Sequence, residues 1–353
     1  MEKSQNRNIG IDVLRILSIV LITVIHYISY SDILDKDALL GGNKVLLLFF
    51  SALSTAAVNI FVLITGYFQS QKNVKIEKCF VLWAKILIIS VLLLCFAFVL
   101  GLKISIANII KCFFPISTAH YWFFVTYLLL LALSPMINLI LKNLSKKVHC
   151  GVCVMAGIVI CLLFVENPFV IADIYLGHFH GIVWFVYLYV VGAYFKKHNI
   201  SISPKKSVPL LLLVLTVIFS LKYFSASVLI EGNNSFLPFV LSVLLFLVFK
   251  EINVTSRFWG NVVTRLSACS FFVYIIQEHC LIRAWYWDLW KIPLYADSPF
   301  LIINFIMAVL ALWPVAYLYE RFFALCLSGI IRKVYIKTES FVRKCFFVKK
   351  NQF

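Results

Sequence analysis

The chain has 353 residues, 63% of them hydrophobic and 13% charged, with a formal net charge of +17. So much apolar surface exceeds what a single soluble core can bury, so a soluble enzyme is excluded and a polytopic membrane protein is predicted. The positive charge does not mark a nucleic-acid binder, because it gathers in the connections between apolar runs and in the tail.

Taken in chain order, ten apolar runs are predicted as spans: about 9–30, 45–68, 81–101, 119–141, 150–165, 177–195, 207–225, 236–249, 262–284 and 300–323. All are predicted helical, because an open strand edge in lipid leaves backbone groups unpaired. The runs 150–165 and 236–249 are shorter than the roughly 20 residues of a straight span. With the N-terminus inside, the connections on that side and the tail hold 21 Lys and Arg residues, against five on the other side (Lys36, Lys44, Lys103, Lys111 and Lys291). The positive-inside rule then predicts both termini in the cytoplasm, which an even number of spans satisfies. Residues 1–330 read as one all-α membrane domain, and 331–353 as a basic tail resting on anionic lipid. The first run is too long for a signal peptide and no small-residue cleavage site follows it. The ten cysteines are scattered and read as small hydrophobes. Cys150 and Cys153 form a C-x-x-C without a second ligand pair, so neither a metal nor a redox role is expected there.

The first run, "IDVLRILSIVLITVIHYIS" at 11–29, carries Asp12, Arg15 and His26 where lipid tolerates none without partners. Without Asp12 and Arg15 only about 15 apolar residues remain, so both sit at or below the inner interface and His26 lies towards the outer leaflet. Arg15 and His26 are eleven residues apart, three turns and about 20°, so they share a face roughly 16 Å long. Arg15 as a snorkelling anchor and His26 as an interfacial residue form one reading. A polar stripe facing a wet cavity is the other, with His as a group that takes a proton near neutral pH and Arg as a fixed cation suited to phosphate.

These residues, with four further stretches in order, resemble the membrane-bound acyltransferase-3 family, bacterial enzymes that acylate surface glycans. Arg15 and His26, preceded by "ID-x-LR", match its basic-x10-His signature. "VNIFVLITGYF" at 58–68, "HYWFFVTYLLLLALSPMIN" at 120–138, "WFVYLYVVGAYF" at 184–195 and "YERFF" at 319–323 are similar to its later motifs. Thr65 stands where the family often has Ser, Lys85 where many members have an Arg pair, and Gln277 in the position of a second His. The resemblance implies acyl transfer from cytoplasmic acyl-CoA, acetyl being the expected group, to a hydroxyl of a saccharide or glycolipid acceptor at the outer leaflet. It also implies His26 as general base, or as a transient acyl carrier, and Arg15 as a donor-phosphate ligand aided by Lys85 or Lys78. Asp12 would orient Arg15 or the helix start.

Other polar residues have weaker readings. His178 and His180 sit at the outer start of the sixth span, and His120 and Trp122 at that of the fourth, with Trp122 and His279 kept as supporting candidates. Glu278 calls for a partner such as Arg283 or a catalytic neighbour, and Glu320 for a local ion pair or a lipid contact. The expectation is a multi-pass O-acyltransferase of the bacterial plasma membrane whose partners are acyl-CoA, a glycan acceptor and membrane lipid. It has no bound cofactor or metal and no nucleic acid, and the sequence gives no reading of oligomeric state. The rival is an exporter of a lipid-linked or extracellular saccharide, against which the absence of internal repeats counts.

Overall fold

A computed structural model of the protein describes residues 8–35, 41–72, 76–118, 120–163, 180–225 and 235–347. Its helices are α1 (Ile9–Ser29), α2 (Gly41–Ser54), α3 (Ala57–Gln69), α4 (Ile76–Val99), α5 (Ile106–Phe113), α6 (Trp122–Lys142), α7 (Lys146–Leu163), α8 (His180–Lys197), α9 (Pro204–Tyr223), α10 (Phe236–Lys250), α11 (Arg257–Gln277), α12 (Ile282–Leu289), α13 (Leu301–Leu310), α14 (Leu312–Phe322) and α15 (Ser328–Phe347). No strand occurs among the described residues. Seven segments are long and apolar enough to cross a membrane: α1, the α2–α3 pair, α4, α6, α9, α11 and the run from α13 into α15. The apolar α10, at 15 residues, is shorter.

Two of the predicted spans are interrupted, and each break is chemically provided for. Between α2 and α3 the chain turns at Thr55 and Ala56, and Thr55 donates through its N–H and Oγ1 to the Ala52 carbonyl, at 3.4 and 2.8 Å, at the end of α2. Pro314 lacks the N–H that would bond Leu310, and the helix divides at Ala311. Inside α6, Pro135 frees the Leu131 carbonyl, and Ser134 Oγ donates to it at 2.7 Å, so that helix continues unbroken. At the C-terminal side α14 passes through a π-turn into α15, which Arg332 ties to Glu77 at 3.0 Å.

Side-chain bonds sort the helix ends into two groups. At one, Asn8 caps α1 and donates to the Lys250 carbonyl at the end of α10, while Lys197 of α8 donates to the carbonyls of Leu141 and Lys142 at the end of α6 and of Leu144 just after it. At the other, the ends of α1 and α11 meet α12, and Asn43 of α2 reaches the carbonyls of Ala296 and Ser298. Consecutive long helices therefore alternate in direction.

Near the centre lies α3, whose residues 57–67 are all buried, as expected of a helix that is apolar all round. It packs on α8 through two glycines. A Cβ on Gly66 would strike the Tyr189 carbonyl, and one on Gly192 the Leu63 carbonyl, so the backbones touch where no side chain fits. Gly66→Val or Gly192→Val is expected to cost at least about 1–3 kcal/mol through overpacking. The midpoint of thermal unfolding in detergent measures it, with Gly151→Ala, where nothing lies within 4 Å, as the control expected to match wild type.

Candidate functional site

Around the shared stripe of α1 the structure assembles two polar clusters, one at each end of the bundle. At the Asn8 end, Arg15 Nη1 donates to Asp12 Oδ1 and to Ser267 Oγ of α11, both at 2.9 Å. Ser267 Oγ in turn donates to the same carboxylate oxygen at 2.9 Å. Asp12 is thus bound to Arg15, while the start of the helix is capped by Asn8. The Arg15 guanidinium is a quarter exposed and lies 5.9 Å from the Phe68 ring centre, where it can meet an anion without leaving its carboxylate.

Beyond Phe68 the same end holds a cavity of about 530 Å³ lined by Lys72, Asn138, Lys142, His149 and Lys197. Lys197 is engaged by three carbonyls, whereas the Lys72 ammonium lies over the outer face of Phe68 at 6.0 Å.

At the other end, His26 meets the turn that follows α11. His26 Nδ1 is 3.4 Å from Glu278 Oε1, too loose for a hydrogen bond, and Gln277 is fully buried beside the ring. Tyr30 donates to Glu278 Oε1 and Oε2 at 2.9 and 3.1 Å and lies against His26, ring centres 5.2 Å apart. Arg283 of α12 stands 3.6 Å from Glu278 Oε2 and 5.1 Å from the Tyr30 ring centre. An imidazole, a carboxyl group, a phenol and a guanidinium therefore converge at one helix end. A carboxylate beside Nδ1 favours the hydrogen on that nitrogen and leaves Nε2 its lone pair.

The other sequence candidates are placed as follows. Lys85 lies apart from Arg15: its ammonium is bonded to both carboxylate oxygens of Glu320, at 2.7 and 2.8 Å, between the rings of Phe272 and Phe323. A lysine so neutralised is poorly suited to a second phosphate. Lys78 is exposed near the start of α4. Trp122 opens α6 half exposed, edge-on to Phe123 and Phe185 and away from the His26 cluster. His279, next to Glu278 in sequence, is fully buried and turned to Cys112 and the Ser90 carbonyl instead. His178 lies outside the described residues.

Two participants, Ser267 and Tyr30, escaped sequence reasoning as site residues. Ser267 carries no local signal, since only the packing of α11 on α1 brings it to Asp12. Tyr30 lies four residues after His26, one helical turn on, and that spacing was the available clue.

A family model described as an acyltransferase domain matches residues 8–324. No curated protein and no solved structure matches the chain. The matched region includes both clusters and the whole bundle up to the π-turn.

Proposed function

This chain belongs to the acyltransferase-3 family and is a membrane acyltransferase; from that premise we propose that it moves an acetyl or similar small acyl group from acyl-CoA on the cytoplasmic side to a hydroxyl of a surface glycan or its lipid-linked precursor. The observation that carries this reading is the pairing on one helix of a carboxylate-bound arginine at one end with an imidazole facing a carboxylate at the other. The Asn8 end is taken as cytoplasmic, following the excess of Lys and Arg there, and the enzyme is assigned to the bacterial plasma membrane.

In this reading Arg15 and the Lys72–Lys142 cavity hold the donor phosphates, and the pantetheine arm extends along α1 over the roughly 16 Å to His26. His26 Nε2 takes the proton of the acceptor hydroxyl as its oxygen attacks the thioester carbonyl. Collapse of the tetrahedral species expels the CoA thiolate, to which the imidazolium can return the proton. Arg283, partly exposed beside Glu278, is placed to steady negative charge on the acyl oxygen. The 3.4 Å gap between His26 and Glu278 is one that closes when the imidazole becomes charged.

The test is acetyl-CoA labelled in the acetyl group, offered to inside-out vesicles with the host's glycan precursors. Label recovered on saccharide supports transfer, and label remaining in CoA while saccharide crosses the membrane supports an exporter instead. In the same assay Arg15→Ala is expected to raise KM for the donor about tenfold or more with little change in KM for the acceptor, and Arg15→Lys to recover part of it. Unchanged donor dependence would make Arg15 a structural partner of Asp12 and Ser267 only.

A further inference from the structure

Beside the Glu278 turn three groups meet: Cys112 at the end of α5 and the adjacent pair His279 and Cys280 after α11. Cys112 Sγ lies 3.9 Å from Cys280 Sγ, in van der Waals contact, and 3.3 Å from His279 Nε2. Cys112 is fully buried and Cys280 partly exposed. The turn is held by its own bonds, since the Cys280 N–H donates to His120 Nε2 at 2.9 Å.

Two chemistries suit such a cluster, a metal site or a dithiol, and the imidazole decides between them. His279 Nε2 is 3.2 Å from the Ser90 carbonyl, which can only accept, so Nε2 carries the ring hydrogen. The Leu281 N–H points to Nδ1 at 3.4 Å, consistent with the bare nitrogen being on that side. The nitrogen facing Cys112 thus offers a hydrogen rather than a lone pair. It is a poor metal ligand in this arrangement and a good partner for a sulfur bearing negative charge.

We propose that Cys112 and Cys280 are a redox-active pair that closes to a disulfide and fastens the Glu278 turn to α5. The partly exposed Cys280 thiolate attacks one sulfur of an incoming disulfide R–S–S–R, of protein or small-molecule origin, and releases one RS⁻. Cys112, its thiolate supported by the His279 N–H, then attacks the Cys280 sulfur of the mixed disulfide and releases the second. Two thiols and one external disulfide become one internal disulfide and two RSH, the two thiol protons leaving on the released thiols. The bridge joins positions 168 residues apart. Cys280 is two residues from Glu278, so its closure restricts the carboxylate that faces His26. In cells the reaction rests on the outward orientation proposed for this end, where thiols are not kept reduced.

The experiment separates the chemistry from the orientation. Purified full-length protein in detergent, where both faces are reachable, is treated with a dithiodipyridine, alkylated, digested and read by mass spectrometry. The expected product is a Cys112–Cys280 cross-linked peptide that dithiothreitol removes, with a rise in the thermal midpoint that Cys112→Ser and Cys280→Ser both lack. The same peptide recovered from alkylated, untreated cells supports the outward orientation. Pairing with other cysteines, or both thiols alkylated after treatment, overturns the proposal. So does zinc or copper bound stoichiometrically to wild type and lost from Cys112→Ser, which would make the cluster a metal site. None of these readouts depends on acyl transfer.

Discussion

Replacing His26 with alanine is expected to lower acyl transfer by about 10²–10⁴-fold, the usual range for a lost general base. The side chain is mostly buried at the end of α1 beside Gln277, and α1 is also held there by the hydrogen bonds of Tyr27 with Asn304 and of Tyr30 with Glu278. His26→Ala should therefore insert normally and bind donor with unchanged affinity, and the loss should fall on kcat. His26→Gln tests the chemistry more sharply, because an amide keeps polarity and approximate length but cannot take up a proton near pH 7. Turnover measured on protein that elutes as wild type from a sizing column is the readout. Near-normal turnover in His26→Gln would move proton transfer to another group, of which Glu278 is the nearest ionisable one.

Much of this architecture was legible because lipid leaves the chain few choices. A run of apolar residues must be helical, and charges within it must have partners, so Asp12, Arg15 and His26 announced a polar stripe before any coordinates. The basic-x10-His spacing placed Arg15 and His26 on one face, and the two clusters stand on that face. What the residues could not announce were partners set by packing between distant helices. Ser267 joins Asp12 across 255 positions, and Glu320 joins Lys85 across 235. The latter is why Lys85, a reasonable phosphate ligand by its place in sequence, turns out to be paired inside the protein. The scattered cysteines gave the opposite lesson, for two that read as small hydrophobes are brought together by the turn after α11. Helix breaks at Thr55 and Ala311 were equally hidden, because hydropathy is blind to a backbone turn whose carbonyl is satisfied by a threonine within it and to a helix cut by a proline.

Glu278→Gln is expected to reduce kcat by up to about 10⁴-fold, the loss when a carboxylate that holds a catalytic imidazole becomes an amide, while KM for the donor stays near wild type. The amide can still accept from Tyr30 at the same place, so the turn keeps its geometry. What disappears is the charge that favours hydrogen on Nδ1 and steadies the imidazolium. Glu278 is thereby a positioning residue rather than the base, and a double-mutant comparison distinguishes the two roles. If it acts only through His26, then His26→Ala combined with Glu278→Gln should be no slower than His26→Ala alone. A multiplied loss would show Glu278 working independently on the substrate. Arg283→Ala is expected to lower kcat on its own account, since Arg283 touches both Glu278 and Tyr30 and is placed to steady the acyl oxygen, but it does not pair with His26. Were Glu278 needed only to anchor Arg283, Glu278→Gln would add nothing to the kcat loss of Arg283→Ala. With Glu278 acting on the imidazole, the kcat loss of Glu278→Gln should vanish in the His26→Ala background while that of Arg283→Ala persists there.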